Sequence, residues 1–263
     1  MKKVRCAFTL RGNTMTLSLQ PIKLFAFVLS LFLTLDHPIY ASAGDSDQKE
    51  LVEKSRMTLE SFLADSNMGW FRDHMKEAKG IFIVPQLLKA AFFFGGEGGS
   101  GVVLVKDDKT GEWSDPAFYT MGAGSFGFQF GAQASEVVLL VMSQRGVESL
   151  LSNTFKLGGD VSVAVGPVGA GIEGSTAMNL SADLLSFARA KGLFGGISLE
   201  GAVIAIRDES NRHYYGQDVR PTDILVKRAV TNPHSGGLKT AVARAAGEDG
   251  KAATDKKITT VPE

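Results

Sequence analysis

Three segments of this chain carry the spacing G-x-G-x-x-G: Gly96–Gly101, Gly122–Gly127 and Gly169–Gly174. In a dinucleotide site that spacing lies between a strand and a helix, so that the helix N-terminus meets the pyrophosphate. Here the first two run into apolar, β-rich residues and the third follows Gly166-Pro167, so glycine-bent β structure explains them better. Hydrolytic chemistry has little to work with. No G-x-S-x-G elbow occurs, because Val102 stands where Gly99-Ser100-Gly101 would need its last glycine. His74, His213 and His234 are not at metal-ligand spacing. The only cysteine, Cys6, rules out an internal disulfide and any Cys-based zinc site. The carboxylates Glu97, Glu136, Glu173 and Glu200 sit in or beside strand-like segments, where salt bridges are commoner than acid–base pairs. The residues thus predict no enzyme, no cofactor and no metal, with an unrecognised hydrolase built on these glutamates as a minor alternative.

The elements around these residues read as α+β. With 263 residues, 44% apolar and 21% charged, the chain can bury a sizeable core. Residues 45–79 read as helical, with Leu51, Val52, Leu59, Phe62 and Leu63 at helical spacing and a break at Asp65-Ser66-Asn67. Two interpretations of this stretch stay open. It is a helix pair packed on the core, or a membrane-interface helix with Trp70 and Phe71 as wedges and Arg72, Lys76 and Lys79 towards headgroups. From Gly80 to Gly201 the texture changes, with 22 of the 30 glycines among β-branched and aromatic runs. Ile81–Val84, Val102–Lys106, Phe126–Ala132, Val137–Met142, Val161–Val165 and Leu193–Ile206 read as strands, and Gln144–Asn153 as a helix between them. Lys106–Gly111 reads as a hairpin loop. These features predict N-terminal helices packed on a curved antiparallel β-sheet or barrel.

The termini read differently. Lys2, Lys3, Arg5, Arg11 and Lys23 precede the apolar run Leu24–Leu35, which is followed by Ala41-Ser42-Ala43. This is the arrangement of a signal peptide over residues 1–43, with retention as an anchor as the alternative. At about 1.5 Å per residue the twelve-residue run is shorter than a bilayer core. The segment holds five basic residues and one acidic residue, leaving 23 basic and 27 acidic residues beyond it, a net of −4. Such a chain has no nucleic-acid footprint and no overall attraction to anionic lipid. Residues 44–230 read as the folded domain. Residues 231–263, rich in Thr, Ala, Gly and Lys, read as a flexible tail with one fraying helical stretch near Leu238–Ala246.

A series of blocks in fixed order then resembles the SYLF domain family. It opens at Ala78-Lys79-Gly80-Ile81 and continues through Gly98–Val102, Trp113-Ser114-Asp115-Pro116 and Leu157–Pro167. Lys191-Gly192-Leu193-Phe194-Gly195-Gly196-Ile197-Ser198-Leu199-Glu200-Gly201 is its most specific stretch, and Asn211-Arg212, Tyr215–Asp218 and Asp223-Ile224-Leu225 close it. The resemblance spans about residues 47–228 and implies phospholipid binding, with phosphoinositides recognised and actin bound by some eukaryotic members. Carried over by position, it implies lipid contacts at Lys79, Lys89 and Lys191, with the stripe 51–71 inserting. Glu97 stands where many relatives are basic, which argues against highly charged inositol phosphates. The signal peptide does not fit a cytosolic actin role, and resembles the bacterial exported branch of the family.

Beside the resemblance, Lys89 precedes Ala90-Ala91-Phe92-Phe93-Phe94. Successive strand side chains alternate, so either both faces there are buried or one meets lipid. Lys191 beside Leu193-Phe194 has the same two readings. The candidate lipid-binding residues are therefore Lys79, Lys89, Lys191, Trp70, Phe71, Phe92 and Phe194. The expected function is non-catalytic phospholipid binding at a membrane surface, in the periplasm or after secretion. The alternative is a soluble structural or assembly protein of the envelope that binds another protein.

Overall fold

In a computed structural model of the chain, the structure describes residues 45–91, 94–126, 131–166, 181–190 and 199–248. The domain opens with helix α1 (Asp45–Ala64). Val52, Leu59 and Phe62 recur on one face and are fully buried, while Arg56 on the outer face bridges Glu53 and Glu60. Asp65 ends the helix by accepting the backbone N–H of Asn67, and a 3₁₀ turn (Ser66–Met68) leads into the short α2 (Gly69–Met75). The sequence break at 65–67 is thus a capped corner. Of the two interpretations of this stretch, the structure takes the helix pair packed on the core.

Eight strands follow: β1 (Gly80–Ala91), β2 (Phe94–Val105), β3 (Ala117–Phe126), β4 (Gly131–Val141), β5 (Thr154–Lys156), β6 (Val163–Val165), β7 (Leu184–Ala190) and β8 (Val203–Ile206). They form one sheet in the order β5-β8-β3-β2-β1-β4-β7-β6, antiparallel except for β6 beside β7. The sheet curls into a half-barrel carrying helices, the α+β architecture expected. Its runs are almost continuously apolar because both faces are covered. Ile81, Ile83, Val102, Leu104, Phe118, Val138, Leu140 and Phe187 pack under the helices. Phe82, Val84, Val103, Tyr119, Leu139 and Val141 pack against α3 (Gln144–Leu150) and residues 222–230. Tyr119 donates its hydroxyl hydrogen bond to Leu150 O on that side, and burial pushes its pKa up.

One irregularity governs the middle of the sheet. Between Ile83 and Leu88, β1 holds one residue more than β2 or β4 opposite it, a bulge at Pro85-Gln86. The bulge pushes backbone oxygens towards β2. A Cβ on Gly99 would lie 2.4 Å from Gln86 O, and one on Gly101 2.2 Å from Ile83 O. The first G-x-G-x-x-G segment is therefore strand, with its last glycine fixed by close backbone approach. Gly122 and Gly124, which open the second, face Gly98 and Gly96 across β3 and β2. Gly127, Glu173 and the third segment lie outside the described residues.

Two expectations are corrected here. The strand predicted over Leu193–Ile206 is confined, among the described residues, to 203–206, because Leu199–Ala202 turns at Gly201 in the left-handed region (φ +85°). Residues 231–248 are not a tail. Asn232 caps a 3₁₀ turn (Pro233–Ser235), and α5 (Gly236–Ala245) follows α4 (Asp208–Tyr215) onto α1 with Leu238, Ala241 and Val242 buried. The buried Asp115 holds it there, accepting from Ser235 Oγ, from Asn232 N at 3.2 Å and from Lys239 Nζ at 2.8 Å. A buried carboxylate needs such partners, and small residues let the helix approach closely; composition alone conceals both effects. Residues 1–44 and 249–263 lie outside the described residues.

Candidate functional site

Lys79 and Lys89 sit at opposite ends of β1. Lys79 immediately precedes the strand and its ammonium is 2.9 Å from Asp108. Lys89 is half-buried near the far end, level with Glu97 of β2 and Gln133 of β4. Ten residues of strand separate the two lysines by about 30 Å, so they do not form one anion site.

Phe71 is fully buried, edge-on to Phe62 and Phe187 at 5.8 and 5.1 Å between centroids. As folded here it is a core residue and not a membrane wedge, because α2 lies under the sheet's helical cover. The 51–71 stripe is spent in the same way on Val52, Leu59 and Phe62. Trp70 is half-buried, stacked on His74 at 3.5 Å and 5.9 Å from Phe187. Lys191, Phe92 and Phe194 lie outside the described residues.

The structure assembles a different site. Between α1, the β1 bulge, β4 and β7 lies an open groove of about 570 Å³, lined by Lys54, Met57, Thr58, Ser61, Pro85, Gln86, Ala134, Ser135, Glu136 and Arg189. Lys54, Met57, Thr58 and Ser61 come from successive turns of one α1 face. Arg189 is the hub, directly opposite Glu136 in the β7–β4 register. Its Nε donates to Glu136 Oε2 at 2.9 Å and its Nη2 to Ser61 Oγ at 2.7 Å, while Nη1 lies 3.5 Å from Asp65. Its guanidinium also lies over the Phe62 ring, 5.0 Å from the centroid. The groove is wet on one side and greasy on the other, for Met57 is 58% exposed and Leu88 54%. Leu88 is directly opposite Ala134, so it extends the groove's rim.

Of these residues only Glu136 is named from the sequence, with a salt bridge as its commoner reading, and here it is an ion-pair partner. Glu97 is half-exposed and Glu200 exposed. A further signal was present in the sequence: Arg189 is a lone charge inside the strand-like Leu184–Ala190. Among the described residues no three His, Cys, Asp or Glu side chains lie close enough to hold a metal ion, and no helix is long and apolar enough to cross a membrane.

Fold and groove together define a helix-covered α+β domain with an open groove beside its first helix. Residues 122–245 match the family model described as Ysc84, Las17-binding protein actin regulator, the SYLF domain that the sequence blocks resemble. It is similar to SH3 domain-containing YSC84-like protein 1 of Bos taurus, 39% identical over 150 residues, and to its Homo sapiens counterpart at 38%. LAS seventeen-binding protein 3 of Saccharomyces cerevisiae is 36% identical over 159 residues. These matches cover 57–59% of this chain but only 43% of the two mammalian proteins and 34% of the yeast one, less than half of each relative. The family description names a binding protein and actin regulator, and the yeast relative's name a binding protein.

Proposed function

We propose that the chain is a non-catalytic phospholipid-binding protein acting at a membrane surface, in the periplasm once exported. The observation that carries this reading is the groove's composition. Exposed Met57 and Leu88 adjoin the cationic Arg189 and Lys54, a pairing of apolar rim and charge that suits an amphiphile better than a wholly polar ligand. The family resemblance supports it. Lys89, Lys191, Phe92 and Phe194 remain candidates for a second contact, since Ala91 and Ala190, which immediately precede the undescribed Phe92 and Lys191, end the two strands flanking β4.

Co-sedimentation with phosphatidylcholine and phosphatidylglycerol vesicles tests the reading. Binding that falls severalfold in the Met57→Asp, Leu88→Asp double variant supports it; negligible binding of the unaltered chain to either vesicle defeats it. The second reading, an envelope assembly protein that binds another protein, is favoured by the binding partners in the relatives' names. Crosslinking that captures proteins and no lipid would select it.

A further inference from the structure

We infer that the groove takes the head of a phospholipid that carries a primary ammonium next to its phosphate, a specificity that rests on the phospholipid-binding reading above. The argument is one of charge and hydrogen bonding. The groove's lining holds two cations, Lys54, which also pairs with Glu50 at 2.6 Å on the outer side of α1, and Arg189, and one carboxylate, Glu136, whose side chain is 33% exposed. A purely anionic head would set a phosphate beside that carboxylate. A zwitterionic head satisfies both signs, with phosphate towards Lys54 and the outer edge of Arg189 and the cation towards Glu136.

The type of cation follows from the lining. A quaternary ammonium cannot donate hydrogen bonds and is held by aromatic faces. The groove's lining contains no aromatic side chain among the described residues. Instead Ser61, Gln86 and Glu136 offer oxygen acceptors, which a primary ammonium with three N–H donors can use. Arg189 keeps capacity for phosphate: Nε and Nη2 serve Glu136 and Ser61, and Nη1 has only the long approach of Asp65. The volume is that of a small-molecule site, about 300–1,000 Å³. Met57 and Leu88 stand at the rim, where the first acyl carbons would leave the groove.

The test compares the full chain on vesicles of phosphatidylcholine, on phosphatidylcholine mixed equally with phosphatidylethanolamine, and on phosphatidylcholine mixed with phosphatidylglycerol. Binding about tenfold tighter with phosphatidylethanolamine than with phosphatidylcholine alone is expected, since the two lipids differ in their donors and not in charge. Glu136→Gln should remove that preference. A second measurement needs no variant: amide shifts on titration with short-chain dihexanoyl-phosphatidylethanolamine should concentrate at Ser61, Gln86 and Ala134–Glu136. Equal binding to the ethanolamine and choline vesicles, a preference that survives Glu136→Gln, or shifts centred elsewhere would each overturn the specificity while leaving phospholipid binding intact. Failure to bind any vesicle would overturn both. Equal shifts with glycerophosphoethanolamine would show that the head suffices without its chains and overturn the membrane-borne ligand.

Discussion

Arg189 and Glu136 face each other across β7 and β4, and the same guanidinium reaches Ser61 on α1, so one side chain ties the long N-terminal helix to the sheet. Removing it should do two things. Arg189→Ala leaves Glu136 without its charged donor, and stability should fall by about 1–3 kcal/mol, read as a lower urea midpoint with an unchanged slope. Hydrogen exchange should also rise selectively in residues 57–64.

Close approach of β1 backbone at the Pro85-Gln86 bulge constrains Gly99 and Gly101, whereas Gly124 lies away from it. Gly99→Ala and Gly101→Ala each force a methyl group into a backbone oxygen, and each should cost about 2 kcal/mol or more, seen as a drop of several degrees in Tm. Gly124→Ala meets nothing within 4 Å and should change Tm little.

Asp115 should control the C-terminal helix. In Asp115→Ala the side-chain anchors from Ser235 and Lys239 are lost together, and α5 should become cleavable by protease near residue 232 before the sheet unfolds. Lys239→Met, which keeps the packing and Ser235's bond, should release it much less. Limited proteolysis followed by mass spectrometry distinguishes the two.

Acid should loosen the fold through a few aspartates. Desolvation raises the Asp183 carboxyl, but hydrogen bonds from Ser143 and Ser162 outweigh it and hold its pKa below the usual value. Asp107 is lowered by the backbone N–H groups of Thr110 and Lys109, and Asp223 by Lys227 and the Arg220 backbone. Each folded-state pKa lies below its unfolded value, so the stabilisation is complete well above about pH 4 and is lost as pH falls through the folded values. Urea midpoints should stay flat from pH 7 to 5 and then decline. Asp183→Asn should begin lower and decline less.

Much of the fold was legible because burial writes itself into strand and helix periods. Ile81–Val84, Val102–Lys106 and Val137–Met142 are apolar on both faces and could hardly be anything but covered strands. Lys106–Gly111 is a loop because Asp107 caps its own turn and Gly111 takes positive φ. β3 was harder to see, since Gly122 and Gly124 dilute its pattern at the sheet's thin end. The helical stretch near Leu238–Ala246 was legible, but its docking was not, because its anchor Asp115 lies 120 positions before Ser235. The groove's assembly was not legible beyond the lone charge of Arg189 in its strand, for Ser61 and Arg189 are 128 residues apart and meet only once the sheet has paired. The chosen candidates followed local aromatic and basic clusters, whereas the fold spends Phe71 on its interior and answers Lys79 with Asp108.

The extra residue in β1 is absorbed without changing which way the rest of that strand looks. Side chains alternate, so five unbroken steps would set Leu88 on the opposite side from Ile83; the extra residue cancels that, and both face the same side, four steps apart on β2. Deleting one residue between them would leave Leu88 level with Gly98 and Ala134 and Lys89 level with Glu97 and Gln133. The rim would keep its polarity, and only the backbone oxygens crowding Gly99 would withdraw.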